Sequence, residues 1–306
     1  MVPDLAPSRL DGSLDAVYLG RAKYLAGTAL RLLGRLVEAE SAILGAERFL
    51  AWQHRSLDRA FWCRSLALLR WEQGRLDEAG GLLGRAACSF FAARLEEEAG
   101  TTRALLGLLA FEEGERAVAS IELRTAKETM DLERRPWLSV RVCLALAIIV
   151  AGHRRKAPAR TLLREVWRLS PHQVSDPRER IVARWWEGRV QGRLGNHHEA
   201  AGLLRTARLK YLEERRVPEA ALVTLDVMHL SAEAGRVAEA CEAAAELKLW
   251  LGREEGAGEA LLALESFAGD LATQRDDLRR CTIEKGALIR RWLRCQGFRI
   301  DPLPFA

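Results

Sequence analysis

Apolar and small residues recur along this chain at three- and four-residue spacings around a repeated turn. The stretch GRLDEAGGLL at residues 74 to 83 returns as GRLVEAESAI, GNHHEAAGLL and GRVAEACEAA. Such spacing gathers apolar side chains on one face of an α-helix, so each copy predicts a turn followed by a helix start. The turn glycines fall at Gly34, Gly74, Gly114, Gly152, Gly195 and Gly235, separated by 40, 40, 38, 43 and 40 residues. Glycine there fits a helix C-cap of positive φ, which a residue without Cβ adopts at no steric penalty.

Five residues after each of these glycines stands an alanine: Ala39, Ala79, Ala119, Ala157, Ala200 and Ala240. Twelve residues after, alanine returns at Ala46, Ala86, Ala126 and Ala207, with Arg164 and Leu247 in the other two units. Seven before come Gly27, Ala67, Gly107, Ala145 and Gly188. Small residues at helical spacings on both sides of a turn describe two antiparallel helices packed at short interaxial distance. A second marker runs independently, since Pro136, Pro177 and Pro218 are 41 residues apart. Proline suits the first turn of a helix, and Asp176 ahead of Pro177 is an N-cap candidate. Each unit therefore reads as a first helix, a turn, a second helix of similar length and a short polar link.

This small-residue pattern resembles the tetratricopeptide repeat, a helix-turn-helix unit with Gly or Ala in its first helix and two alanines in its second. The resemblance implies an all-α fold, a right-handed α-solenoid of about seven antiparallel helix hairpins. Units are expected near residues 13–54, 57–94, 97–134, 136–171, 177–215 and 218–252, with a degenerate seventh at 257–296 and tails at 1–12 and 297–306. The period of about 40 exceeds the ~34 usual for the family, as in the long-period arrays of some bacterial regulators. HEAT and armadillo repeats fit the length but lack the Gly-plus-Ala signature. A solenoid closes on a helix that is apolar on one side only. DLRRCTIEKGALIRRWLRCQ at 277 to 296 places Leu278, Cys281, Leu288, Trp292 and Cys295 on one stripe and is the expected cap.

Composition narrows the class further. The longest apolar run, Val142 to Ala151, is ten residues, and the start MVPDLAPSRLDGS has no signal-peptide pattern. A cytoplasmic protein is the expectation. Six cysteines without a CxxC pair argue against disulfides and zinc. The net charge of +5 is concentrated in residues 275 to 301, where eight basic side chains meet four acidic ones.

No nucleophile-base-acid set, phosphate loop or metal-ligand spacing occurs, so no enzyme activity, cofactor or metal is expected. The resemblance places the informative positions on the outward side of the first helices, which in this family lines the concave surface. The partner-binding candidates are Tyr24, Arg31, Arg64, Trp71, Phe111, Trp185, Arg189 and Arg193, with Arg21, Thr28, Leu68, Glu72, Leu108, Glu112, His229 and Glu233 beside them. Aromatics and arginines dominate binding hot spots. Arg189 and Arg193, at i and i+4, share a helix face and form either a solvated surface or a seat for a carboxylate.

A dicarboxylate clamp is disfavoured, since the one asparagine, Asn196, sits in a turn. The expected function is a protein-interaction scaffold that binds a peptide or helix, with an acidic segment as a candidate chemistry. The alternative is a regulatory or sensory array acting in trans on a transcriptional or signalling protein. RNA binding is disfavoured because the groove positions are apolar and varied. Oligomeric state is open.

Overall fold

The computed structural model describes residues 14–50, 57–153, 155–173, 176–252 and 258–272, together with Ile289. These residues form thirteen helices and no strand. Six hairpins follow in order: α1 (Leu14–Leu32) with α2 (Leu36–Leu50), α3 (Leu57–Glu72) with α4 (Leu76–Ala92), and α5 (Glu96–Glu113) with α6 (Arg116–Thr129). Then come α7 (Pro136–Gly152) with α8 (Lys156–Gln173), α9 (Pro177–Leu194) with α10 (His197–Glu213), and α11 (Val217–Glu233) with α12 (Val237–Leu251). Helix α13 (Gly258–Ala272) follows. The chain divides into two compact units after Leu132, so α1 to α6 belong to the first and α7 to α13 to the second. The expected cap at 277–296 and both expected tails lie outside the described residues, Ile289 apart.

Five of the six turn glycines close their first helices in the left-handed region, with φ between +71° at Gly235 and +91° at Gly195. That conformation lets the next N–H reach back five residues, as Arg35 N–H does to the Leu30 carbonyl at 2.9 Å. The helix starts also follow local chemistry. Pro136 and Pro177 stand in the first turns of α7 and α9, and the Asp176 carboxylate accepts the Arg178 N–H at 2.9 Å.

Small residues set how closely the helices of a hairpin approach. A Cβ on Gly107 of α5 would meet Leu123 Cγ of α6 at 2.7 Å, and one on Gly27 of α1 would meet Ile43 Cγ1 of α2 at 2.4 Å. The expected seam alanines Ala39, Ala79, Ala119, Ala200 and Ala240 are all buried. Within each unit successive hairpins are joined by packing of a second helix on the next first helix, as α4 on α5 and α10 on α11, by first helix on first helix, as α7 on α9, and by bonds such as Trp62 Nε1–H to the Ile43 carbonyl at 2.7 Å.

The fourth unit corrects the expected register. Gly152 does not have positive φ; it ends α7 as a helical residue and is followed by His153 at φ −87°. Ala157 is exposed, whereas Ala159 is fully buried. Counting 40 residues from Gly114 reaches position 154, five before Ala159 and 41 before Gly195, so the period is more regular than the glycines suggest. In this register Val166, buried, fills the second alanine position that Arg164 was expected to fill. Helix α7 is buried on every side from Leu138 to Ala151, which accounts for its continuous apolar run.

Candidate partner-binding face of the first helices

Within each unit first helices lie beside one another, as α1 with α3 and α7 with α9, and side chains one repeat apart come face to face. Polar pairs fill these positions and link hairpin to hairpin. In the first unit, Arg21 of α1 forks onto Asp58 of α3, Nε to Oδ1 at 2.7 Å and Nη2 to Oδ2 at 2.9 Å. Tyr24 OH lies 3.5 Å from the same Asp58 Oδ1. One turn on, Thr28 Oγ1 donates to the Tyr24 carbonyl and lies 3.1 Å from Ser65 Oγ. Arg31 then pairs with Glu72, both withdrawn from solvent. Between α3 and α5, Arg64 Nη1 meets Glu98 Oε2 at 2.6 Å, with its guanidinium over the rings of Phe61 and Phe90. At the turn end of the same pair, Trp71 Nε1–H donates to Glu112 Oε2 at 2.9 Å.

The second unit repeats the device. Arg141 of α7 forks onto Glu179 of α9 at 2.9 and 2.8 Å, and both side chains are only 4% exposed. Trp185 Nε1–H of α9 donates to Asp226 Oδ2 of α11 at 2.7 Å, and Arg189 Nε stands 3.5 Å from that oxygen. A charge buried among helices must be paired and hydrogen-bonded or the fold loses several kcal/mol. Rungs of this kind therefore fix which turn of one first helix meets which turn of the next.

The surroundings alter the ionisation of the groups involved. Burial, followed by the negative charge of Asp58, pushes the Tyr24 hydroxyl up to about 12. The hydrogen bond and charge of Asp58 hold the Arg21 guanidinium above its ordinary value. On the second helices, Glu40 of α2 is held below the usual carboxylate range by hydrogen bonds from Arg70 and Gln73 of α3.

The structure thus sorts the sequence-predicted residues. Tyr24, Arg31, Arg64 and Trp185 are buried within the rungs, while Trp71 and Phe111 of the first unit and Arg189 and Arg193 of the second are half-buried. Tyr24 and Arg21 gather at Asp58, with the charge of Arg64 also acting on Tyr24, and Trp185 and Arg189 share Asp226. The acids of the rungs, Asp58, Glu98, Glu179 and Asp226, and the buried Arg141 were not among the sequence-predicted residues. Their signal is spacing, since each acid stands 34 to 41 residues beyond the group it receives.

Among the described residues no group of three or more His, Cys, Asp and Glu side chains could hold a metal ion, and no helix is long and apolar enough to cross a membrane. The chain matches no family model and no curated protein. Its fold is similar to the crystal structure of a Rap protein complexed with competence and sporulation factor, with a TM-score of 0.62 over 95% of this chain and 80% of that one at 14% identity. It is also similar to the Rap conjugation gene regulator of the plasmid pLS20 in complex with the Phr* peptide, with a TM-score of 0.56 over 100% of this chain and 83% of that one, again at 14% identity. The likeness is one of fold, a tetratricopeptide-like helical repeat.

Proposed function

We propose that this protein is a non-enzymatic regulatory scaffold that holds a peptide, or a helix of a protein partner, against the face that the first helices of a unit share. Occupancy of that face would control a transcriptional or signalling protein. The observation that carries the reading is the set of rungs: half-buried aromatic and arginine side chains are held in place by bonds between hairpins before any ligand arrives. A surface ordered in advance loses less entropy on binding. Two solved structures of this fold are complexes, one with competence and sporulation factor and one with the Phr* peptide.

In the first unit, Trp71 and Phe111 would take apolar side chains of a bound segment. Trp71 is fixed through its N–H to Glu112, which leaves the ring to serve as the contact surface. In the second unit, Arg189 and Arg193 would meet a carboxylate of a bound segment. A guanidinium presents five donors, so a peptide carboxylate can be seated beside Asp226 rather than in its place.

The test is affinity selection of a peptide from a display library by the purified full chain, followed by titration of that peptide against variants. Trp71→Ala should weaken binding by about tenfold or more with its salt dependence kept. Arg189→Glu with Arg193→Glu should weaken binding and flatten the salt dependence. Arg124→Glu, on the exposed side of α6, should leave affinity unchanged. Equal damage from Arg124→Glu would put the binding surface elsewhere.

A further inference from the structure

Across the first-helix face, arginines are matched to acids; on one part of the second unit they are not. Helix α8 carries Lys156, Arg160, Arg164 and Arg168 four residues apart, all exposed, against one acid, Glu165. Other second helices of this unit differ in balance: α10 has Glu199 and Glu213 beside its cations, and α12 has three glutamates to one lysine. The neighbouring start of α9 adds exposed Arg180 and Arg184.

Few acids stand beside this cluster, each hydrogen-bonded to another group, and Glu187 also offsets part of the charge of Arg184. Glu165 receives the Cys143 thiol of α7 at 3.7 Å. Glu179 is buried against Arg141. Glu187 of α9 accepts the Trp167 Nε1–H of α8 at 2.7 Å. That last bond joins the two helices and sets the indole among arginines, because Arg164 is one turn before Trp167, Arg168 is next to it, and Arg184 is one turn before Glu187. The Trp167 side is 47% exposed while its polar edge is pinned, so an apolar plate stands ready at the centre of a basic field.

We propose that Arg160, Arg164 and Arg168 of α8, with Arg180 and Arg184 of α9 and the ring of Trp167, form a docking surface for an acidic α-helix of a partner protein. The spacing selects the occupant. Side chains four residues apart on a helix rise about 6 Å per step, and a partner helix with carboxylates at i and i+4 has the same rise, so its acids meet the arginines in register. Arginine forks grip carboxylates through two N–H groups, and a desolvated aromatic between them supplies an anchor. A nucleic-acid strand would be held by a succession of stacking aromatics along its path, whereas this surface offers one. The surface is separate from the first-helix face, so its test does not depend on what that face binds.

The experiment is fluorescence anisotropy of the full chain with a labelled alanine-based helical peptide bearing glutamate at every fourth position and one central leucine. A peptide of the same composition interrupted by proline and a single-stranded oligonucleotide of equal charge serve as competitors. The helical peptide should bind at least about tenfold more tightly than either, and Arg160→Ala with Arg164→Ala and Arg168→Ala should lower its affinity by about tenfold or more. Trp167→Ala should weaken binding with the salt dependence unchanged. Arg180→Ala with Arg184→Ala provides an independent variant should the triple one misfold, and it should weaken binding in the same direction. Unchanged affinity in a folded arginine variant overturns the proposal. So does an oligonucleotide that binds as tightly as the helix, which would assign the surface to nucleic acid.

Discussion

Two residues at the links between hairpins carry a conformation their type does not favour. Arg94, after α4, and Arg215, after α10, are both at φ +57°. Around them Leu95 N–H reaches the Phe90 carbonyl at 2.9 Å and Arg216 N–H the Tyr211 carbonyl at 2.8 Å, the same closure the turn glycines make. A residue with a Cβ is held there at a cost of about 1–2 kcal/mol, part of which glycine gives back through its freer unfolded chain. Arg94→Gly or Arg215→Gly should therefore raise stability by roughly 0.5–1 kcal/mol, read from the denaturant midpoint; a fall would show that the arginine side chain contributes more than its backbone loses. Tyr24 supplies a second residue-level test. Its folded value of about 12 lies above the ordinary 10.0, so the fold binds that proton more tightly than the unfolded chain does. The contribution is complete below pH 10.0 and is lost as pH rises towards about 12. Tyr24→Phe should remove this loss, so the stability difference between the two proteins should be constant below pH 10.0 and change only in that alkaline window.

At the scale of the element, most helix boundaries were legible because glycine, proline and the seam alanines are read locally. The fourth unit was not, since Gly152 lies two residues short of the periodic position and turned the expected seam from Ala159 to Ala157. The links at Arg94 and Arg215 were expected as unit ends, but their left-handed backbone was not legible, because arginine is not a turn residue by composition. The two alanines of α8 now separate the registers by experiment. Ala159→Arg would force a charged side chain into a fully buried helix contact, adding the expense of an unpaired buried charge to the ~1–3 kcal/mol of ordinary overpacking. Ala157→Arg, exposed in the first turn, should change stability by less than about 0.5 kcal/mol. Thermal melts of the two variants decide it, and the reverse order would restore the Gly152 register.

For the molecule as a whole, what local pattern could not show is how one hairpin recognises the next. Tyr24, Arg31, Arg64, Trp71, Trp185 and Arg189 were readable as one class of side chain on one class of helix. Of their acids Glu72 and Glu112 were readable in the same way, but Asp58, Glu98 and Asp226 were not, because a carboxylate some 40 residues away leaves no trace in a helical window. In a repeat array, stability is roughly the sum of unit terms and nearest-neighbour interfaces, so a polar rung acts on one interface at a time. The Arg141–Glu179 rung between α7 and α9 is the most buried of the bidentate ones and the clearest test. Arg141→Met leaves Glu179 as an uncompensated charge and should destabilise by about 3–5 kcal/mol. Arg141→Met with Glu179→Leu removes both charges and should recover most of that loss, because burying an ion pair contributes little beyond an apolar contact of similar volume. If the rung also sets register, the double variant should regain its melting temperature yet show faster amide exchange in α7 and α9 than the parent. A double variant as unstable as the single one would mean that the hydrogen-bond geometry of the fork, and not merely its charge balance, holds these two hairpins together.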